Sequence, residues 1–213
     1  MKALITVTFF ILLSSLQVIA QRKCFSPATS ISSQNLQAIE NFTNQFIATN
    51  GNTIVTESAI IRIPVVIHNL YHFPEERITD AQVAAQLETL NKSFRRLHAD
   101  TANTPTHFKS LAADIEIEFH LATSDPRKRS TTGINRKYTP IKAWSRDDKM
   151  HIAAETGVDA WDTKSYLNIW VCNLEDYAGY SSIIGGPIDK DGIVISTAAF
   201  GDGFKTIVHE AGH

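Results

Sequence analysis

The 213 residues carry 20 Lys+Arg against 22 Asp+Glu, a formal charge of -2, with 43% hydrophobic and 20% charged residues and two cysteines. This is the make-up of a globular chain able to build one good core, or one domain with a short appendage. It excludes a disordered or collagen-like polymer, a disulfide-dense mini-domain and the broad basic field that a nucleic-acid partner would need.

The chain opens as a secretory signal peptide over residues 1–20. Lys2 supplies the positive start, Ala3 to Leu13 form an apolar run, and Val18-Ile19-Ala20 before Gln21 places small residues at a cleavage site. The run is short of the ~20 apolar residues that a spanning helix needs, so no membrane anchor is expected. Cys24 follows Gln21, Arg22 and Lys23 rather than small apolar residues, which argues against lipid anchoring.

Residues 21–57 are rich in Ser, Thr, Asn and Gln and read as a pro-segment. Leu36, Ile39, Phe42 and Phe46 recur at three- and four-residue steps, a short helix with one apolar stripe that is expected to dock on something. The Asn50-Gly51-Asn52 turn marks the junction with the body, residues 58–213.

Ala59 to His68 reads as a buried strand that Pro64 confines to an edge or a bulge. Thr79 and Gln82 make a capping box, followed by Val83, Leu87, Leu90, Phe94 and Leu97 at helical spacing. Gln86, Lys92 and Arg96 are assigned to the wet face of that helix. Ile115, Ile117, Phe119 and Leu121 alternate with polar residues as a half-buried strand, and Leu167–Cys172 and Ile193–Ser196 are two further strands. Interspersed strands and helices make the fold class mixed α/β. Residues 124–139 and 172–191 are long loops of the kind that carry function.

The chemistry lies in His209-Glu210-Ala211-Gly212-His213. Two histidines four residues apart on a helix face the same way, about 6 Å apart along its axis, and two imidazoles so placed can grip one Zn²⁺. Glu210, beside the first ligand, is placed to act as general base toward the water that attacks a peptide carbonyl. His68 and His72 share this spacing, but they fall on a strand and beyond a turn, so they read as structural.

Ile63-Pro64-Val65-Val66-Ile67-His68, Thr79-Asp80-Ala81-Gln82, Leu90-Asn91 with Phe94-Arg95-Arg96-Leu97, Ile117-Glu118-Phe119, Thr132-Gly133-Ile134, Tyr166 to Leu174, Gly179-Tyr180, Asp191-Gly192 and the terminal His-Glu motif stand in order along residues 59–213. Together they resemble the pappalysin family of metzincin zinc metalloproteases, above all its bacterial secreted members. The resemblance implies a zincin (metzincin-like) upper subdomain: a twisted mixed β-sheet, a backing helix over about 79–99, and the start of an active-site helix. It implies an edge strand near 179–184 that pairs with extended substrate, protein or peptide substrates, zinc as cofactor, and calcium as a further cation of the full-length protein. Cys24 stands close to the family's pro-segment cysteine, whose thiolate would cap the zinc in the latent form. A Cys24–Cys172 disulfide or an idle thiol are the alternatives.

The family continues past the second histidine to a third zinc-binding His, a Met-turn and a lower subdomain, none of which this sequence contains. The expectation is therefore a C-terminally incomplete chain, nearly inactive by itself. A non-catalytic extracellular module retaining only the upper subdomain is the rival reading.

Overall fold

A computed structural model describes residues 23–24, 33–50, 60–183 and 186–213. The signal-peptide reading of residues 1–20, the 51–57 junction, and the Cys24 side chain lie outside the described residues. The strands are β1 (Lys23–Cys24), β2 (Ile61–Tyr71), β3 (Ile117–Leu121), β4 (Ile134–Tyr138), β5 (Leu167–Cys172), β6 (Tyr177–Ser181) and β7 (Ile193–Ser196). The α-helices are α1 (Ser33–Asn50), α2 (Asp80–Phe94) and α3 (Thr206–Gly212).

The strands make one sheet in the order β1-β6-β7-β5-β2-β3, with β4 also against β2. Only β6 runs antiparallel to its neighbour β7; every other pairing is parallel. β3 lies along Ile61–Val65 and β4 along Ile67–Tyr71. Between them the chain leaves the sheet through an exposed excursion that is closed by the Ser124–Ser130 bridge.

Pro64 is neither on an edge strand nor at a bulge, because β2 is central. It pairs opposite His120 of β3, while β5 takes up its pairing only from Val65. One flank of Pro64 thus has no ladder to break, so its missing N–H is tolerated.

Strand alternation sends Val65, Ile67, Ile169, Val171, Ile193 and Ile195 to one face of the sheet. There α2 lays Val83, Leu87 and Leu90, and α3 lays Ile207. The opposite residues, among them Leu70, Trp170, Cys172 and Val194, pack with Trp144 and Met150 of the 140–165 segment on the second face. With both faces covered, these strands read as near-continuous apolar runs.

The capping box of α2 forms as expected: Thr79 Oγ1 accepts the Gln82 N–H at 3.2 Å and Gln82 Oε1 accepts the Thr79 N–H at 2.8 Å. The helix is shorter than the expected 79–99. It ends at Phe94, where Arg95 turns to Asp114 and Glu118 and Arg96 adopts φ 52°. Leu97 is consequently left exposed. Helix α1 forms too; along its stripe Leu36, Phe42 and Phe46 are exposed and Ile39 is half-buried. Among the described residues, neither core cluster contains a residue of α1.

Two histidines are sealed against Trp170, with His68 and His151 ring centroids 5.3 and 4.3 Å from the indole. Asn168 Oδ1 accepts the Trp161 N–H at 2.7 Å and lies 3.0 Å from His68 Nε2, which assigns the ring proton to Nε2. His72 goes elsewhere, to the Thr139 carbonyl, so the two four-apart histidines share no site. Burial pushes the pKa of His68 down to about 4 against the opposing Asn168 bond, and burial does the same to His151 against the nearby Asp148. Between pH about 4 and about 6.5 the unfolded chain therefore binds protons that the folded chain refuses. Stability is expected to fall as pH drops through that window, by up to roughly 3 kcal/mol per histidine. Urea unfolding at pH 7 and pH 4.5 checks this: His151→Phe should lose about half of the difference between the two pH values, and an undiminished difference would contradict it.

Candidate active site

The chain reaches the site through a turn after β7. Ala199 and Phe200 plug the core, and α3 then starts at Thr206 with no side-chain cap. Its orientation follows from where the apolar residues fall. Ile207 is fully buried and Ala211 packs partly on the same core, so Glu210 points inward at 1% exposure. His209 and His213, one helical turn apart, are left on the exposed side. The expected pairing is realised: His209 Nε2 and His213 Nε2 lie 3.0 Å apart, with ring centroids 4.6 Å apart and planes at 86°.

This donor set fits zinc. Two neutral imidazole nitrogens at ~2.05 Å from a tetrahedral ion stand about 3.3 Å from each other, within a few tenths of the separation the bare pair already holds. Glu210 and His213 also line a cavity of about 250 Å³, walled on its apolar side by Phe94, Ile117 and Phe119 and on the strand side by Ser181 and Ile193. A carboxylate so enclosed is held in one place beside the histidine pair.

The strand nearest the expected 179–184 is β6, Tyr177–Ser181, which starts two residues earlier and shares 179–181 with it. Along its outer side runs β1, parallel, with Lys23 opposite Tyr177 and Cys24 opposite Gly179. The backbone of the proposed pro-segment thus takes up the pairing capacity of β6. Among the described residues no group of three or more His, Cys, Asp or Glu side chains converges, so the histidine pair with Glu210 is what the described site contains. Cys172 is a free thiol, wholly buried, with its pKa pushed well up by burial. The Cys24–Cys172 disulfide is therefore set aside.

One side chain was misassigned from its polarity. Gln86, expected on the wet face of α2, is fully buried and bonded to the turn that leads into α3. Its place between Val83 and Leu87 and one turn before Leu90, all buried, was the available signal.

No protein-family model matches the chain, and no curated protein sequence does. Solved structures do. Mature mirolysin of Tannerella forsythia in complex with a cleaved peptide is 40% identical, with a TM-score of 0.70, over 74% of this chain and 63% of that one. Mirolysin in complex with compound 9 is 40% identical, with a TM-score of 0.70, over 73% and 63%. A promirolysin mutant of T. forsythia is 36% identical, with a TM-score of 0.72, over 90% of this chain and 68% of that one. The chain thus spans less than two thirds of mature mirolysin, and its twisted, mostly parallel sheet with helices matches the metzincin upper subdomain. At these identities and this coverage, the chain belongs to the pappalysin family of metzincin metalloproteases.

Proposed function

We propose that the protein is a secreted zinc-dependent endopeptidase made as a zymogen, with residues 1–20 as signal peptide and 21–57 as pro-segment. The observation that carries the reading is the convergence of His209 Nε2 and His213 Nε2 to 3.0 Å beside the buried Glu210. Zinc, when bound, would polarise the scissile carbonyl and lower the pKa of the attacking water toward about 7. His209 and His213 hold it through neutral imidazoles on the open side of α3. Glu210 takes the water's proton and returns it to the departing amine nitrogen, a role that suits a carboxylate fixed by burial. The outer edge of β6 pairs with an extended peptide by backbone hydrogen bonds, which makes proteins and peptides the substrates. A cleaved peptide accompanies mature mirolysin, in keeping with this.

Latency follows from β1. A segment already paired to β6 denies that edge to substrate, and Cys24, opposite Gly179, would serve as a temporary zinc ligand through its thiolate. The match to the pro-form extends over 90% of this chain and the match to mature mirolysin over 74%, which supports reading the extra stretch as pro-segment. Peptide cleavage by the full-length protein and by its Cys24→Ala variant tests the proposal. Chelator-sensitive cleavage that begins sooner in the variant supports it. An unchanged lag would remove the thiol switch, and cleavage that a chelator leaves untouched would remove zinc.

A further inference from the structure

We infer that Gln86 is a positioning residue that latches the active-site helix to the backing helix. The inference rests on the reading of α3 as the metal-holding element.

Gln86 lies in the buried stripe of α2 and is 0% exposed. An uncharged amide in an apolar layer is tolerated only when both its ends are bonded, and both are. Oε1 accepts the Gly201 N–H at 2.8 Å, and Nε2 donates to the Phe204 carbonyl at 3.0 Å. One side chain thereby holds the two ends of the turn 201–204, more than a hundred residues away in sequence.

That turn is soft by itself. Gly201 and Gly203 sit at φ +126° and +78°, conformations that glycine enters freely and as freely leaves. The helix beyond the turn starts with no side-chain N-cap, so its first turn does not brace the turn before it. Lys205 does reach Asp100, but both side chains are about half exposed, so the pair is a weak constraint. Gln82, one turn earlier on α2, adds contact rather than a bond: a Cβ at Gly201 would stand 3.7 Å from its Cγ. Burial of Ile207 decides which face of α3 turns inward, and the Gln86 amide fixes the turn from which the helix starts. His209 and Glu210 come five and six residues after Phe204, so a shift of the turn moves the ligand pair as a unit.

Asn91 supplies an internal control. It stands on the same helix and makes the same kind of two-ended latch, donating to the Phe119 carbonyl at 2.9 Å and accepting the Phe119 N–H at 2.7 Å. Its partner is β3, not α3.

The test compares wild type, Gln86→Met, Gln86→Glu and Asn91→Leu by amide hydrogen exchange over 206–213 and by zinc affinity. Gln86→Met keeps the volume and loses both bonds; exchange in α3 should rise tenfold or more, and zinc affinity should fall by a similar factor. Gln86→Glu keeps the acceptor for Gly201 and should fall between Gln86→Met and wild type. Asn91→Leu should leave α3 exchange within twofold of wild type even if its melting temperature drops as far. Unchanged α3 exchange in folded Gln86→Met, or an equal rise in Asn91→Leu, overturns the latch. Faster α3 exchange in Gln86→Met together with a wild type that binds no zinc upholds the latch and removes the metalloprotease reading instead.

Discussion

In the full-length protein, Glu210→Gln is expected to keep zinc affinity within about twofold of wild type while cutting peptide hydrolysis by roughly 10²–10⁴-fold, the range associated with losing a general base. The two side chains have the same shape, so the packing of a residue at 1% exposure is preserved. The histidine nitrogens are not altered by the substitution. An amide cannot take the proton of the attacking water, and only that capacity is removed. Single-turnover cleavage of a peptide library, with bound zinc measured on the same samples, separates the two effects. Wild-type cleavage by the variant would remove Glu210 from the chemistry.

Gly192→Ala is expected to have the largest effect on folding. Gly192, just before β7, sits at φ +150°, a backbone conformation that an L side chain resists. A Cβ there would overlap the Asn168 carbonyl oxygen and stand 2.8 Å from Trp170 Cζ3. Asn168 cannot yield, because its side chain is tied to Trp161 and His68. Trp170 is fully buried. Strain and overpacking act together, and a loss of about 3 kcal/mol or more is the expected order. Urea unfolding checks it; a loss under about 1 kcal/mol would show that β7 can shift where the packing says it cannot.

The pairing of His209 with His213 was legible in the sequence because a four-residue step on a helix needs no tertiary information to place two side chains on one face. The α2 cap was legible for the same reason, as were the strands Leu167–Cys172 and Ile193–Ser196, whose apolar runs match burial on both sheet faces. What escaped depends on partners distant in sequence. Ile134–Tyr138 is a strand with polar residues at its centre, and it pairs with β2 only because the 122–133 excursion returns beside β3. Pro64 was placed on an edge because a sequence does not reveal that β5 begins its pairing one residue later. Gln86 was assigned to solvent by its polarity, when its burial depends on the backbone of a turn more than a hundred residues on.

His209 and His213 together hold zinc in the full-length protein, and equilibrium dialysis of that protein against buffered zinc tests this most directly, with wild type, His209→Ala and His213→Ala compared. The pair contributes two ligands to one ion, so each single substitution should weaken zinc binding by at least tenfold, and both should do so to a similar degree. Zinc held with wild-type affinity by both variants would place the metal elsewhere and leave Glu210 without a reaction to serve.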